Sequence, residues 1–258
     1  MEEVWVKIQR ANYHAQELKR AVQFFFDSKP YAVSTGRAED EKLVYYVSKV
    51  DDLSPAMTAV IGDVIQNLRS ALDHIAYKLF LQNGGNKNEA KHIYFPIFES
   101  EEKYRSGMAQ KTKGISAEAI KTIDSIKPYK EGNRILWLIH ELNNIDKHRL
   151  LLTAGSSYSR FDAGAHLRMQ MQKVGFRGDK NFVFPEMPPL FISPANKPFP
   201  LKVGDVLFVD GTNNDEIPEM KFEFDIVFHE PGIIENESVL ETVVDMIDEV
   251  KRVVSLFK

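Results

Sequence analysis

The sequence contains no cysteine. Disulfide bonds, thiolate metal sites and cysteine nucleophiles are therefore excluded. The sequence also has no run of about 18 apolar residues, the length that a membrane-spanning helix needs. The first residues, MEEVWVKIQR, lack the basic-then-apolar order of a signal peptide. We therefore expect a soluble, cytoplasmic protein that does not enter a membrane.

The chain also lacks an excess of positive charge. Its 33 Lys and Arg residues are outnumbered by 37 Asp and Glu residues, which gives a net charge of −4 and a sequence pI near 6.0. Binding of nucleic acid over a wide surface requires clustered basic side chains. The composition therefore excludes a generally basic coat and leaves room for a local basic patch.

Several motifs with a known chemistry are missing as well. The sequence has no Gly-x-Ser-x-Gly turn, no phosphate loop with its lysine, no His-Glu-x-x-His and no pair of Glu-x-x-His motifs. His140 and His148 lie eight residues apart, about 12 Å along a helix axis, which is too far for easy ligation of one ion. We predict neither a metal nor a cofactor. A metal site assembled from His74, His140 and Glu141 is the alternative.

Apolar residues recur at helical spacing in four long stretches, at about residues 2–27, 55–82, 133–150 and 238–257. Ser54-Pro55 supplies a capping hydroxyl and a first-turn proline for the second helix. Asn133 is placed to cap the third helix, and Ser238 has capping-box spacing to Glu241 for the fourth. A shorter helix is predicted over residues 116–126.

Alternation of apolar and polar residues predicts strands in other parts of the chain. Residues 31–50 are typical of a β-hairpin, and residues 92–98 of a short strand interrupted at Pro96. After the third helix, alternation predicts strands at about 166–172, 203–210 and 221–228.

Together these patterns predict an α+β protein with one domain, residues 1–258. The four long helices form a bundle, the hairpin follows the first helix, and a β-rich insertion at about 151–232 precedes the last helix.

A helical wheel sorts the polar residues of the third long helix into two groups. Asp146 falls in the middle of the apolar arc and Arg149 lies inside it. His140, Asn144 and His148 fall on the opposite side. The wheel therefore predicts that the first group faces the core and that the second faces away from it.

A carboxylate in a core requires a partner, because a buried unpaired charge is strongly destabilising. We expect Asp146 to pair with Arg149 or with Arg69 of the second helix, and Asp73, one turn from Arg69, to join this structural network. Loss of Asp146 is then expected to destabilise the protein strongly.

The second helix contains Arg69-Ser-Ala-Leu-Asp-His74, an arginine followed by four residues and a histidine. This Arg-x4-His pattern in a helical bundle resembles the signature of HEPN domains (higher eukaryote and prokaryote nucleotide-binding), many of which are RNases. The order NLRSALDHIAYKL, FPIF, LWLIHELNNIDKHRLLL, a β section and a final helix also resembles a widespread group of uncharacterised bacterial proteins, over most of the chain.

The resemblance to HEPN domains implies metal-independent RNA cleavage, usually at a dimer interface. His74 would transfer protons and Arg69 would stabilise the charge on the phosphorane. The residues that would contact the substrate are Asn67, Asn143, Asn144, Lys147 and His148. Positions five apart on a regular helix diverge by about 140°, so Arg69 and His74 converge only if the helix is distorted or a dimer completes the site.

Two functions of different classes follow from the sequence, and it leaves open whether the protein is an enzyme. The first is a non-catalytic helical-bundle module for interaction or accessory roles. The second is a HEPN-like protein that binds or cleaves RNA or a nucleotide, with a second copy of the chain in a homodimer as its candidate partner. The second requires that Arg69 and His74 share a solvent-reachable cleft, whereas a buried, ion-paired Arg69 favours the first.

Overall fold

The fold combines helices and strands, so the predicted α+β class is confirmed. A computed structural model describes residues 1–149, 152–165, 167–169, 171, 188–194, 198–211 and 217–257, without the side chains of His148 and Arg149. The helices are α1 Glu2–Asp27, α2 Pro55–Gln82, α3 Glu101–Lys111, α4 Ala117–Ile126, α5 Arg134–Arg149 and α6 Val239–Ser255. The strands are β1 Tyr31–Arg37, β2 Leu43–Val50, β3 Ala154–Asp162, β4 Phe191–Ile192, β5 Val206–Asp210, β6 Phe222–Glu230 and β7 Ile234–Ser238.

Capping side chains begin several helices where the sequence predicts. The Ser54 hydroxyl accepts a hydrogen bond from the Ala56 amide at the start of α2, and Pro55 occupies the first turn. The Asn133 side chain accepts from the Leu136 amide at 3.1 Å and so begins α5. These bonds satisfy backbone amides that a helix start leaves without an intrahelical acceptor.

Helices α2, α5 and α6 pack against one another in pairs. Their buried residues are almost all apolar, with α6 contributing a continuous row. Helix α1 buries the predicted stripe, including Val4, Ile8, Ala11, Leu18 and Val22. Its first turn is tied to the end of α2 by an ion pair between Glu3 and Lys78.

The strands form two sheets within the described part of the chain. One has the order β1-β2-β5, with both pairings antiparallel, and it contains the predicted hairpin. The other has the order β4-β3-β6-β7. Strand β2 buries every second residue, as its sequence pattern predicts. Leu43, Tyr45 and Val47 are buried, and the residues between them are partly exposed.

The chain divides into two compact units. Unit 1 comprises Met1–Phe24, Ser54–Ala154 and Phe228–Lys258, and unit 2 comprises Phe25–Leu53 and Gly155–Val227. Unit 2 has its own apolar core, in which the buried residues are Val47, Tyr158, Phe161, Leu201 and Leu207. No helix in the described ranges is both long and apolar enough to cross a membrane.

Three predictions about local structure are wrong. Residues 167–169 and 171, expected in a strand, are helical, and the rest of that predicted strand lies outside the described residues. The local cause is Asp162, whose carboxylate binds the Gly164 amide and the Arg168 guanidinium and so favours a helical turn over an extended chain.

The other two errors concern the strand predicted at residues 92–98 and the capping bond predicted at the start of α6. Residues 93–97 form no strand, and the backbone of this segment makes a single bridge from Phe98 to Tyr129. Ser238 is the N-cap residue of α6, as predicted, but its side chain makes no capping bond; it is also the last residue of β7.

We predict that Asn133→Ala lowers the free energy of unfolding by about 1–2 kcal/mol. The change removes the cap of α5 and also the 2.6 Å hydrogen bond that Asn133 donates to Glu249 on α6. Urea denaturation would measure the effect, with Asn88→Ala at an exposed turn as the control. A loss no larger than that of the control would contradict the predicted role.

Candidate functional site

Arg69 and Asp73 of α2 form a buried ion pair that also binds a backbone segment. Arg69 is only 5% exposed. Its Nη2 lies 2.8 Å from the Asp73 carboxylate and donates to the Phe95 carbonyl at 3.0 Å. The Asp73 carboxylate accepts from the Phe95 amide at 3.1 Å. We call this arrangement the Arg69–Asp73 clamp, because it holds both polar groups of the Phe95 backbone.

The clamp is needed because residues 93 and 95–97 are buried without regular secondary structure. Ile93, Phe95 and Ile97 point their side chains into the core, and Pro96 has no amide hydrogen. A buried backbone amide or carbonyl without a partner costs free energy comparable to a lost hydrogen bond. Asp73 supplies the partner of the Phe95 amide, and Arg69 shares the Phe95 carbonyl with the Ile97 amide, which donates to it at 3.0 Å.

His140 on α5 lies close enough to the clamp for its charges to act on the imidazole. Burial, and after it the positive charges of Arg69, Lys111 and Lys147, lower the pKa of His140 to about 3. The imidazole is therefore neutral at physiological pH. The amide nitrogen of Asn144 lies 3.4 Å from His140 Nε2. Because an amide nitrogen can only donate, Nε2 is the acceptor and Nδ1 carries the hydrogen.

Two buried nitrogen atoms at this place lack a hydrogen-bond acceptor among the described residues. They are Nη1 of Arg69 and Nδ1 of His140. Both are donors, and both are enclosed by protein. Buried donors without acceptors are rare in folded proteins, and a donor on or near a cationic side chain is suited to binding an anionic oxygen.

Two lysines add positive charge around these donors. Lys111 at the end of α3 donates to the Ile97 carbonyl at 3.3 Å, and its ammonium lies 4.1 Å from the centroid of the Phe98 ring. Burial and the nearby Arg69 lower the pKa of Lys111. Lys147 is exposed on α5. The charges that act on His140 thus come from a buried arginine, a half-buried lysine and an exposed lysine.

The predicted catalytic pair is not brought together by any contact in the described structure. Arg69 uses its guanidinium on Asp73 and Phe95, whereas His74 is half-buried and makes no hydrogen bond or ion pair with a described residue. Helix α2 continues without interruption through both positions, so the two side chains leave it in different directions. The catalytic roles of Arg69 and His74 stay a prediction.

The predicted substrate-binding residues are divided between different environments. Asn144 and Lys147 belong to the surroundings of His140. Asn143 is buried, and the Asn67 side chain donates to the Asp63 carbonyl one turn earlier on α2. The side chain of His148 lies outside the described residues.

The buried ion-pair network predicted from the sequence is centred on Asp73 and not on Asp146. Asp73, and not Asp146, is the partner of Arg69. Asp146 is half-buried and lies against Gly62 of α2, where an added Cβ would be 2.5 Å from its Oδ1. Burial and the neighbouring Asp63 raise the pKa of Asp146. The side chain of Arg149, the other expected partner, is outside the described residues.

His140 and Lys111 are the site residues whose positions the sequence did not predict. The helical wheel placed His140 on the outward face of α5, but the residue is mostly buried. The reason is further burial on that side of α5, which lowers the pKa of His140 and raises the pKa of Glu141. The FPIF sequence was the available signal, since a short apolar run between helices must be buried against one of them.

Comparisons of the chain with protein-family models, with curated proteins and with solved structures gave no match. Within the described residues no group of three or more His, Asp or Glu side chains is arranged to hold a metal ion. The site is therefore interpreted from its own geometry.

The two carboxylates, Asp73 and Asp146, are expected to differ in their contribution to the free energy of unfolding. We expect Asp73→Ala to lower the free energy of unfolding by about 3–5 kcal/mol, because it leaves Arg69 buried without its counter-charge. For Asp146→Ala, which the sequence alone marked as strongly destabilising, we now expect less than about 1 kcal/mol, since Asp146 is half-buried and forms no ion pair with a described residue. Denaturant unfolding of both variants gives the comparison, and a larger loss for Asp146→Ala would contradict the assignment.

The neutral His140 predicts a pH dependence of stability. Its pKa in the folded state, about 3, is below the ordinary value of 6.5, so the unfolded chain takes up the proton first. The associated stability is complete above about pH 6.5 and is lost as the pH falls from there towards 3. Between pH 7 and pH 5 the loss is about 1–2 kcal/mol, and His140→Gln should remove it. The control is His92→Gln at an exposed position, which should leave the pH dependence unchanged.

Proposed function

We propose that the protein is a helical-bundle module that binds the phosphate group of an RNA or a nucleotide at the Arg69–His140 site, without catalysis. The bundle would consist of α1, α2, α5 and α6. The observation that carries the proposal is the pair of buried donors, Arg69 Nη1 and His140 Nδ1, that have no acceptor among the described residues. A phosphate oxygen would supply that acceptor.

The charges around the two donors support an anionic ligand. The charged groups that shift the pKa of His140 are Arg69, Lys111 and Lys147, and all three are positive. These three cations outnumber Asp73, the carboxylate that pairs with Arg69 and on which Lys147 and Lys111 also act. Such an excess of positive charge would form a local basic patch on a chain with a net charge of −4. The expected cytoplasmic location would give such a patch access to nucleotides and RNA.

Entry of the ligand requires a side chain to move, since both nitrogens are closed off from solvent. Lys147 is the exposed charged residue at this place, and a lysine changes rotamer readily. A phosphate would first meet the Lys147 ammonium and would then displace it to reach the deeper donors. Binding without cleavage is favoured because Arg69 is committed to the clamp and does not contact His74.

The test is binding of a fluorescent single-stranded RNA, with competition by a nucleoside monophosphate, in the presence of a chelator. Lys147→Glu should weaken binding by about 10-fold or more, because it reverses a charge at the entrance. His140→Ala should weaken binding by about 10-fold, the effect of losing roughly 1.4 kcal/mol of hydrogen bonding. Lys121→Glu, an exposed lysine on α4 whose charge does not act on His140, is the matched control.

The same samples separate the two classes of function. Intact RNA after incubation agrees with binding alone. Cleavage that is present in the wild type and absent in His74→Ala would replace the proposal by the metal-independent ribonuclease. If neither RNA nor nucleotide binds, or if Lys121→Glu weakens binding as much as Lys147→Glu does, the proposed site is wrong.

A further inference from the structure

Helix α1 carries apolar residues on the face opposite to its buried stripe. Phe24 is 77% exposed, Tyr13 is 54% exposed and Val6 is 50% exposed. The buried residues of α1 occupy the other side of the helix. A helix at the surface of a globular protein normally has polar residues there, so this outward row requires a different explanation.

The outward row has the spacing of a helix–helix seam. Tyr13, Glu17, Arg20 and Phe24 follow one another at steps of four, three and four residues, and at 100° per residue they lie within about 60° of one another. This is the spacing at which two helices present matching rows to each other. We call these four residues the outward seam of α1.

The outward seam is complementary to itself when a second copy runs antiparallel to it. Tyr13 and Phe24 are equally distant from the midpoint between Leu18 and Lys19, and so are Glu17 and Arg20. In an antiparallel pair centred on that midpoint, Tyr13 faces Phe24 of the other copy and Glu17 faces its Arg20. Two Tyr–Phe contacts then flank two Glu–Arg ion pairs. A two-fold interface has this property, because the same surface patch is used on both copies.

The contacts of these residues within one chain leave them available for such pairing. Arg20 forms no ion pair in the described part of the chain, and its Nε donates to the Gln16 carbonyl of its own helix at 3.3 Å. Glu17 contacts His14 at 3.2 Å, which is also within α1. Neither residue is engaged by another element of unit 1.

From this arrangement we infer that the protein self-associates through the outward seam of α1, with a second copy of the chain, antiparallel, as the partner. The inference is independent of the phosphate site, which involves none of these residues. A seam of four side chains per copy buries less than the roughly 1,200 Å² of a standard stable interface. The association is accordingly expected in the micromolar range or weaker, and it requires measurement at high protein concentration.

The experiment is sedimentation equilibrium of the full chain with two charge reversals on the seam. Wild type should show concentration-dependent dimerisation. Glu17→Lys places two Lys–Arg contacts across the interface and Arg20→Glu places two Glu–Glu contacts there, so each variant alone should be a monomer. An equal mixture of the two variants restores both attractive pairs and should recover a dimer, which would be a heterodimer.

Two further variants identify the surface and the register. Phe24→Ser should weaken association at least 10-fold. Val6→Ser should have no effect, because the position opposite Val6 in this register falls beyond the end of α1 at Asp27. A wild type that stays monomeric at the highest concentration would overturn the inference. Single charge variants that still dimerise, or a mixture that remains monomeric, would overturn it equally.

Discussion

The ion pair between Arg69 and Asp73 is the interaction on which the arrangement of unit 1 depends. A buried ion pair adds little net stability compared with an apolar pair of the same shape, but the loss of one partner is costly. Here the pair also binds the amide and the carbonyl of Phe95. The position of the segment around Phe95 therefore follows from two side chains one turn apart on α2. Arg69 and Lys111, which both donate to carbonyls of that segment, add their positive charges to the burial that keeps His140 neutral.

The long helices could be predicted from the sequence because each one has two independent signals. Apolar spacing identifies the buried face and capping residues such as Ser54 and Asn133 identify the start, and these signals agree. For the region at about 151–232, the sequence predicted that strands occur but did not place all of them correctly. Residues 167–171 alternate as a strand does, yet they turn helically beside Asp162. In β3 buried and exposed residues do not alternate, so a search for alternating apolar and polar residues does not find this strand.

The candidate site was only partly predictable, for a different reason. Arg69 and Asp73 are four residues apart on one helix, a spacing from which contact between their side chains can be predicted. The structure contains this ion pair. A helical wheel treats a helix as having one buried face, but α5 is covered on a second side near His140. The contact of Asp146 with Gly62 depends on how closely two helices approach, and that distance is set by packing and not by spacing along one chain.

The division of unit 1 into three separate stretches of chain has a consequence for synthesis. Helix α6 packs against α2 and α5, yet it begins at Val239, long after α2 ends at Gln82. At ordinary translation rates of about 5–20 residues per second, α2 waits roughly 10–30 s for its last partner to emerge. Unit 2 is complete at Val227 and can fold first. The nascent chain therefore carries an uncovered apolar helix surface through most of its elongation.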